Sequence, residues 1–113
     1  MYDRNSRNII VIGASAGGVE TLTQLVRALP SDLAAAIFIT LHFPSDSFSV
    51  LPKILNRCGT LPASHAQDGE RIQLQRIYIA PPNYHLIVQP HIIHLSRDPR
   101  ENGHRPAIDA LFR

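Results

Sequence analysis

The first half of the chain alternates short apolar runs with an amphipathic segment. Residues 8–13 read Asn-Ile-Ile-Val-Ile-Gly and residues 35–41 read Ala-Ala-Ile-Phe-Ile-Thr-Leu. Continuous runs of this length are typical of strands that a parallel sheet buries on both faces. Between them, apolar residues recur at intervals of three and four from Gly18 to Leu29, which predicts a helix ended by Pro30. Strand, helix and strand in this order predict a βαβ unit with a right-handed crossover.

A second helix is predicted after the second strand. Apolar residues at helical spacing place it over 47–57, and Pro52 falls early enough to be accepted near its first turn. Ser45 or Asp46 is the predicted N-cap, and Gly59 lies just past the predicted end.

The pattern then changes to alternation of apolar and polar residues. This change predicts strands around 77–79, 86–88 and 93–95, with turns at 81–83 and 89–91 where proline and asparagine or glutamine cluster. Because the turns are short, we expect these strands to form a small antiparallel excursion.

The last segment, residues 105–113, has Pro106 at a helix-start position and apolar residues at Ile108 and Leu111. This spacing predicts a helix. No glycine, proline or polar tail ends that helix, so we expect the natural domain to continue beyond Arg113.

These elements together predict an α/β fold: a doubly wound, mostly parallel, Rossmann-like sheet with a small antiparallel β excursion, incomplete within this chain. The chain has 113 residues, of which 44% are hydrophobic and 18% charged, so it can form one globular domain. We expect a polar tail over 1–7 and a domain portion over 8–113.

Composition narrows the classes of partner. Lys plus Arg exceed Asp plus Glu by only 11 to 9, without a basic block that would predict nucleic-acid binding.

The single cysteine, Cys58, excludes an internal disulfide framework and fits a reducing compartment. No apolar run is long enough for a membrane span, and the polar N-terminus lacks the apolar stretch of a signal peptide. We therefore expect a cytoplasmic protein with no direct membrane insertion.

The segment from Gly13 to Gly18, Gly-Ala-Ser-Ala-Gly-Gly, lies where the first strand turns into the first helix. Gly-x-Ser-x-Gly at such a turn is the pattern of a nucleophile elbow, which would expose the hydroxyl of Ser15. The alternative is a phosphate-binding glycine loop, but that template needs glycine where Ser15 stands.

The second strand discriminates between these interpretations. A dinucleotide site expects an acidic residue near the end of that strand, whereas this chain has His42, a residue type that commonly acts as the base for a serine. Ser15 and His42 both fall at the carboxyl ends of strands that a βαβ unit places in one sheet. For Ser15 taken alone, the alternative is a turn with a purely structural role. For His42 taken alone, it is a polar strand end.

The other histidines do not predict a metal site. His91 and His94 are three residues apart on a predicted strand, so they face opposite sides and make a poor chelate. We expect neither a metal nor another cofactor. For His85 we expect local hydrogen bonding in a turn.

Four motifs resemble those of one family, in the same order along almost the whole chain. They are Val-Ile-Gly-Ala-Ser-Ala-Gly-Gly at 11–18, Leu-His-Phe-Pro at 41–44, Tyr-Ile-Ala-Pro-Pro at 78–82 running on to His85, and Glu-Asn-Gly-His-Arg-Pro at 101–106 with Asp-Ala-Leu-Phe at 109–112. The chain, over residues 8–113, resembles the N-terminal portion of the catalytic domain of the chemotaxis protein-glutamate methylesterases.

This resemblance implies a hydrolase that cleaves glutamyl methyl esters on methylated chemoreceptors or related signalling proteins, with glutamine deamidation as a second activity. Ser15 would be the nucleophile and His42 its base, while the backbone amides of Ala16 and Gly17 are oxyanion candidates. Arg105 is a candidate contact to an acidic receptor surface. The family's catalytic aspartate lies in a later glycine-rich segment without a counterpart here, and Asp109 does not match it. A non-catalytic interaction domain on the same fold is the alternative.

Overall fold

The computed structural model describes residues 9–15, 19–42, 50–81, 84–96 and 107–110, with the backbone alone at 14–15, 41–42 and 107–110. Two helices and seven strands lie within these residues. In chain order they are β1 (Ile9–Ser15), α1 (Val19–Ala28), β2 (Ala36–His42), α2 (Leu51–Cys58), β3 (Ala63–His65), β4 (Ile77–Ile79), β5 (His85–Val88), β6 (Ile93–Ser96) and β7 (Ala107–Ala110).

Four strands form a parallel sheet in the order β1-β2-β4-β3. β1 and β2 pair over seven positions, from Ile9 opposite Ala36 to Ser15 opposite His42. The predicted first strand, first helix and second strand are all confirmed, and so is the parallel sheet. β1 extends to Ser15, two residues beyond the predicted end at Gly13.

The prediction that residues 77–79 belong to an antiparallel excursion is wrong, because β4 lies inside the parallel sheet between β2 and β3. All three of its residues are at most 1% exposed. Tyr78 stacks on Phe38 with ring centroids 5.1 Å apart, and its hydroxyl accepts a hydrogen bond from the Gln73 N–H at 2.8 Å. The tyrosine therefore belongs to a strand that is buried on both faces, not to an alternating one.

One face of this sheet packs against both helices. We call the buried residues there the helix-side core: Leu22, Val26, Ile37, Ile39, Leu51, Leu55, Leu61, Ala63, Ile77 and Ile79. Each fully buried leucine or isoleucine of this kind contributes about 1.5–3 kcal/mol relative to an exposed one. In α1, Glu20 in the first turn and Arg27 in the last complement the helix dipole.

The opposite face is covered by a second sheet in the order β6-β5-β7. We call the buried residues between the two sheets the sheet-side core: Ala36, Phe38, Ala66, Ile72, Tyr78, Ala80, Leu86, Val88 and Ile93. β5 and β6 are antiparallel and joined by the predicted turn, in which the Gln89 N–H donates to the Ile92 carbonyl at 3.0 Å. The antiparallel excursion is thus confirmed for these two strands.

The predicted helix over residues 105–113 is wrong, since Ala107–Ala110 forms β7 and pairs in parallel with β5. Four residues span about one helical turn, too few for period 3.6 to be distinguished from period 2. Proline before the first residue of a strand is compatible with either structure. Residues 107–110 form a strand because β5 offers them backbone hydrogen-bond partners along its whole length.

α2 begins later than predicted. Its N-cap is Val50, not Ser45 or Asp46, and it has no side-chain cap hydrogen bond. Pro52 lies in the first turn and Gly59 caps the end, as predicted. Asn56 then pins the unpredicted strand β3 to this helix, donating to the Ala63 carbonyl at 3.0 Å and accepting from the Ala63 N–H at 2.8 Å.

Candidate active site

Ser15 and His42 occupy paired positions at the same edge of the parallel sheet. Each is the last residue of its strand, and the register of β1 and β2 places them directly opposite each other. The sequence predicts that both residues lie at the carboxyl ends of strands of one βαβ unit, and the backbone has this arrangement. The backbone of Ser15 belongs to the strand itself.

Thr40 and Gly13 form the next layer beneath this pair. They are register partners, each two residues before His42 and Ser15, respectively. Thr40 is 7% exposed, and its hydroxyl oxygen is buried with no hydrogen-bond partner among the described residues. A Cβ built on Gly13 would lie 3.9 Å from the Thr40 Cγ2, an ordinary contact. None of the sequence motifs points to Thr40, although period-two spacing from His42 places both positions on one face of β2.

The surroundings of the His85 side chain differ from those predicted. Its side chain is fully buried, and neither ring nitrogen has a hydrogen-bond partner within the described part of the chain, so the expected hydrogen bonding in a turn is not found there. His85 begins the central strand of the second sheet, between Ser96 at the end of β6 and Ala107 at the start of β7. Burial of two unpaired polar atoms is unfavourable.

The remaining predicted site residues, Ala16, Gly17 and Arg105, lie outside the described residues. Asp109 has its backbone in β7, opposite Ile87.

Other features bear on metal and membrane binding. His94 lies at the surface, with its Nδ1 atom 3.5 Å from Asp68 Oδ1. Over the described ranges no three histidine, cysteine or acidic side chains are grouped as metal ligands would be. Neither described helix is long and apolar enough to cross a membrane.

Two curated proteins are similar to this chain in sequence. A protein-glutamate methylesterase/protein-glutamine glutaminase 2 of Methanosarcina acetivorans is 38% identical over 95% of this chain, and a protein of the same type from Halalkalibacterium halodurans is 39% identical over 94%. The chain spans about a third, 32%, of the length of each of these two relatives.

One solved structure is similar to this chain in fold. The crystal structure of the Thermotoga maritima CheB methylesterase catalytic domain superposes with a TM-score of 0.82 at 30% identity, covering 89% of this chain and 56% of that domain. The family model described as CheB methylesterase matches residues 10–113. The chain therefore belongs to the CheB methylesterase family.

Proposed function

We propose that this chain supplies the nucleophile and the general base of a protein-glutamate methylesterase. Ser15 is the nucleophile and His42 is the base. The observation that carries the proposal is their register at the ends of β1 and β2. Neighbouring strands lie about 4.8 Å apart, and paired residues of parallel strands share a face of the sheet. A hydroxyl and an imidazole at such positions can come within hydrogen-bonding reach of each other, which proton transfer requires.

In the proposed reaction the Ser15 oxygen attacks the carbonyl carbon of a glutamyl methyl ester while His42 takes the hydroxyl proton. His42 then donates that proton to the departing methoxide, and methanol leaves. Water, deprotonated by the same imidazole, hydrolyses the acyl-enzyme to free glutamate and serine. The same steps release ammonia when the substrate is a glutamine amide.

The negative oxygen of the tetrahedral intermediate needs fixed hydrogen-bond donors. Ala16 and Gly17 fall in the sequence between the end of β1 at Ser15 and the start of α1 at Val19, so their amides are the candidates. Removal of one such donor lowers the rate by a factor equivalent to about 3 kcal/mol.

The names of the relatives support glutamyl esters and glutamine side chains as substrates. We propose a methylated chemoreceptor as the partner, and Arg105 as a contact to its acidic surface. No third catalytic residue is assigned within this chain. Without an orienting carboxylate the imidazole can hold the wrong tautomer, which lowers the rate of serine proteases about 10⁴-fold. The 113-residue chain alone is therefore expected to be nearly inactive.

The experiment measures methanol release from methylated chemoreceptor. The chain is assayed alone and after co-expression with the part of the Thermotoga maritima catalytic domain that it does not match. We expect turnover only in the second sample, and we expect Ser15→Ala or His42→Gln to abolish it. Ser64→Ala, a serine on β3 of the same sheet, is the matched control and should retain turnover.

Turnover that survives Ser15→Ala would contradict the assignment of the nucleophile. An assembled sample with no turnover at all would favour the non-catalytic interaction domain. Turnover by the chain alone, abolished by Ser15→Ala, would show that no further carboxylate is needed.

A further inference from the structure

Thr40 carries a buried polar atom that packing alone does not explain. Its side chain is 7% exposed, and its hydroxyl oxygen has no hydrogen-bond partner among the described residues. Burial of a hydroxyl without a partner is unfavourable. A valine would fill nearly the same space without this cost, so the hydroxyl needs a partner that justifies it.

The hydroxyl lies on the same face of the sheet as the proposed catalytic pair. Phe38 belongs to the sheet-side core, and period-two spacing along β2 continues this face through Thr40 to His42. On β1, Ile9 packs against the same core, and the same spacing leads to Ser15. Thr40 therefore lies one layer beneath Ser15 and His42, toward the interior of the protein.

The neighbours of Thr40 within its own layer are small and have no polar side chain. Gly13 is its register partner on β1. On the other side, Ala80 follows β4, and its N–H donates to the Ile39 carbonyl at 2.8 Å. A buried water needs two to four polar partners, which this layer does not offer through its side chains. The partner of the hydroxyl is thus to be sought in the layer above.

His42 is the residue of that layer that Thr40 can reach. The two residues are neighbours on one face of β2, and such positions lie about 6.6 Å apart along a strand. Side chains in strands lean along the strand direction, so a threonine hydroxyl and an imidazole Nδ1 can approach to hydrogen-bonding distance. Ser15 is farther away, because it lies one layer up and also one strand across.

We propose that Thr40 is a positioning residue whose hydroxyl oxygen accepts a hydrogen bond from the Nδ1–H of His42. A proton held on Nδ1 leaves Nε2 free to take the proton of Ser15, so the contact selects the tautomer that the base requires. Its catalytic meaning rests on the proposed function. The hydroxyl is neutral and does not stabilise the imidazolium as a carboxylate does, so the chain alone is still expected to be nearly inactive.

The test measures the tautomer of His42 by NMR in the intact 113-residue chain, labelled at its histidine nitrogens. Spectra are recorded at a pH at which the imidazole is neutral, and the His42 signals are assigned by their loss in His42→Gln. We expect the Nδ1–H tautomer to predominate in the wild type. Thr40→Val removes the hydroxyl and should lower the ratio of the Nδ1–H to the Nε2–H tautomer at least about threefold. Thr40→Ser keeps the hydroxyl and should keep the wild-type ratio.

Thr23→Val is the matched control. The Thr23 hydroxyl donates to the Glu20 carbonyl at 2.7 Å within α1, so its removal should leave the His42 tautomer unchanged. Urea unfolding gives a second measurement with a definite sign. Thr40→Val should lower the urea midpoint, because the Nδ1–H of His42 loses its acceptor, whereas removal of a hydroxyl that has no partner would raise it.

Three results would overturn the proposal. A wild-type His42 in the Nε2–H tautomer does so without any variant. A tautomer ratio that is the same in Thr40→Val as in the wild type, or a raised urea midpoint, would show that the hydroxyl has no bond to the imidazole. A ratio that falls equally in Thr40→Ser would assign the effect to packing of the methyl group.

Neither measurement requires turnover. A predominant Nδ1–H tautomer that depends on the Thr40 hydroxyl, in a protein whose assembled form has no turnover, would contradict the proposed function and support the hydrogen bond. Turnover that requires Ser15 and His42, with a tautomer independent of Thr40, would support the proposed function and overturn the role of Thr40.

Discussion

Gly59→Ala measures how closely the C-terminal ends of the two helices pack. A Cβ at this position would lie 2.8 Å from both the Val26 Cγ1 and the Val26 carbonyl oxygen. Carbon atoms pack best about 3.5–4.0 Å apart, so the helices must separate by several tenths of an ångström. The φ of Gly59 is −132°, which alanine adopts freely, so the steric contact alone opposes the substitution.

The size of the effect follows from how little Val26 can move. Its side chain is 1% exposed, and its carbonyl is held at the end of α1 by the Leu29 N–H at 3.2 Å. Added atoms in a packed core lower the free energy of unfolding by about 1–3 kcal/mol. We expect a loss of about 2 kcal/mol here, because one of the two contacts is to backbone. Urea unfolding followed by circular dichroism, with the m-value unchanged, measures it.

Gly13→Ala is the control, since its Cβ has no neighbour closer than 3.9 Å, and its free energy of unfolding should stay within about 0.5 kcal/mol of the wild type. Val26→Ala added to Gly59→Ala removes the contact with Cγ1 but not the contact with the carbonyl. The two changes should therefore be non-additive by about 0.5 kcal/mol or more, with the double variant still less stable than Val26→Ala alone. A Gly59→Ala protein as stable as the Gly13→Ala protein would refute this account of the helix contact.

Two further substitutions test buried polar groups by the same unfolding measurement. His85→Leu removes two buried ring nitrogens that have no partners among the described residues. It is expected to raise the free energy of unfolding by about 1 kcal/mol. A decrease of more than about 2 kcal/mol would mean that those nitrogens are hydrogen-bonded in the folded protein. Asn56→Ala leaves the N–H and carbonyl of the buried Ala63 unpaired and should cost about 1–3 kcal/mol. Asn56→Asp keeps an acceptor for the N–H but sets an ionised oxygen against the Ala63 carbonyl, so it should also lower the free energy of unfolding; a variant as stable as the wild type would contradict the reciprocal pair.

β1, α1 and β2 were predictable because their local patterns agree with the fold. The runs around Val11 and Phe38 are continuous and rich in β-branched residues, and Leu22 and Val26 mark the buried face of α1 at helical spacing. A βαβ unit then places the ends of both strands at one edge of a sheet. The position of Ser15 opposite His42 follows from that topology more than from the glycines around the serine.

The second half was less predictable because long-range pairing decides it. β4 and β3 have three residues each, too few for a periodic signal, and β4 takes its place only through its contacts with β2 and β3. β7 is a strand because β5 offers it an edge. The burial of His85 had no local signal, since it depends on what packs around the start of β5.

The sheet order β1-β2-β4-β3 also constrains the sequence of events during folding. β1, α1 and β2 are neighbours along the chain and can assemble early, after closing short loops. β3 precedes β4 in the sequence but pairs with the sheet only through it, so β3 joins the sheet as a strand only when β4 pairs with β2 across the intervening polypeptide. Pairing of β4 (Ile77–Ile79) with β2 is thus the step that joins the two halves of the chain. Non-local steps of this kind limit folding rates.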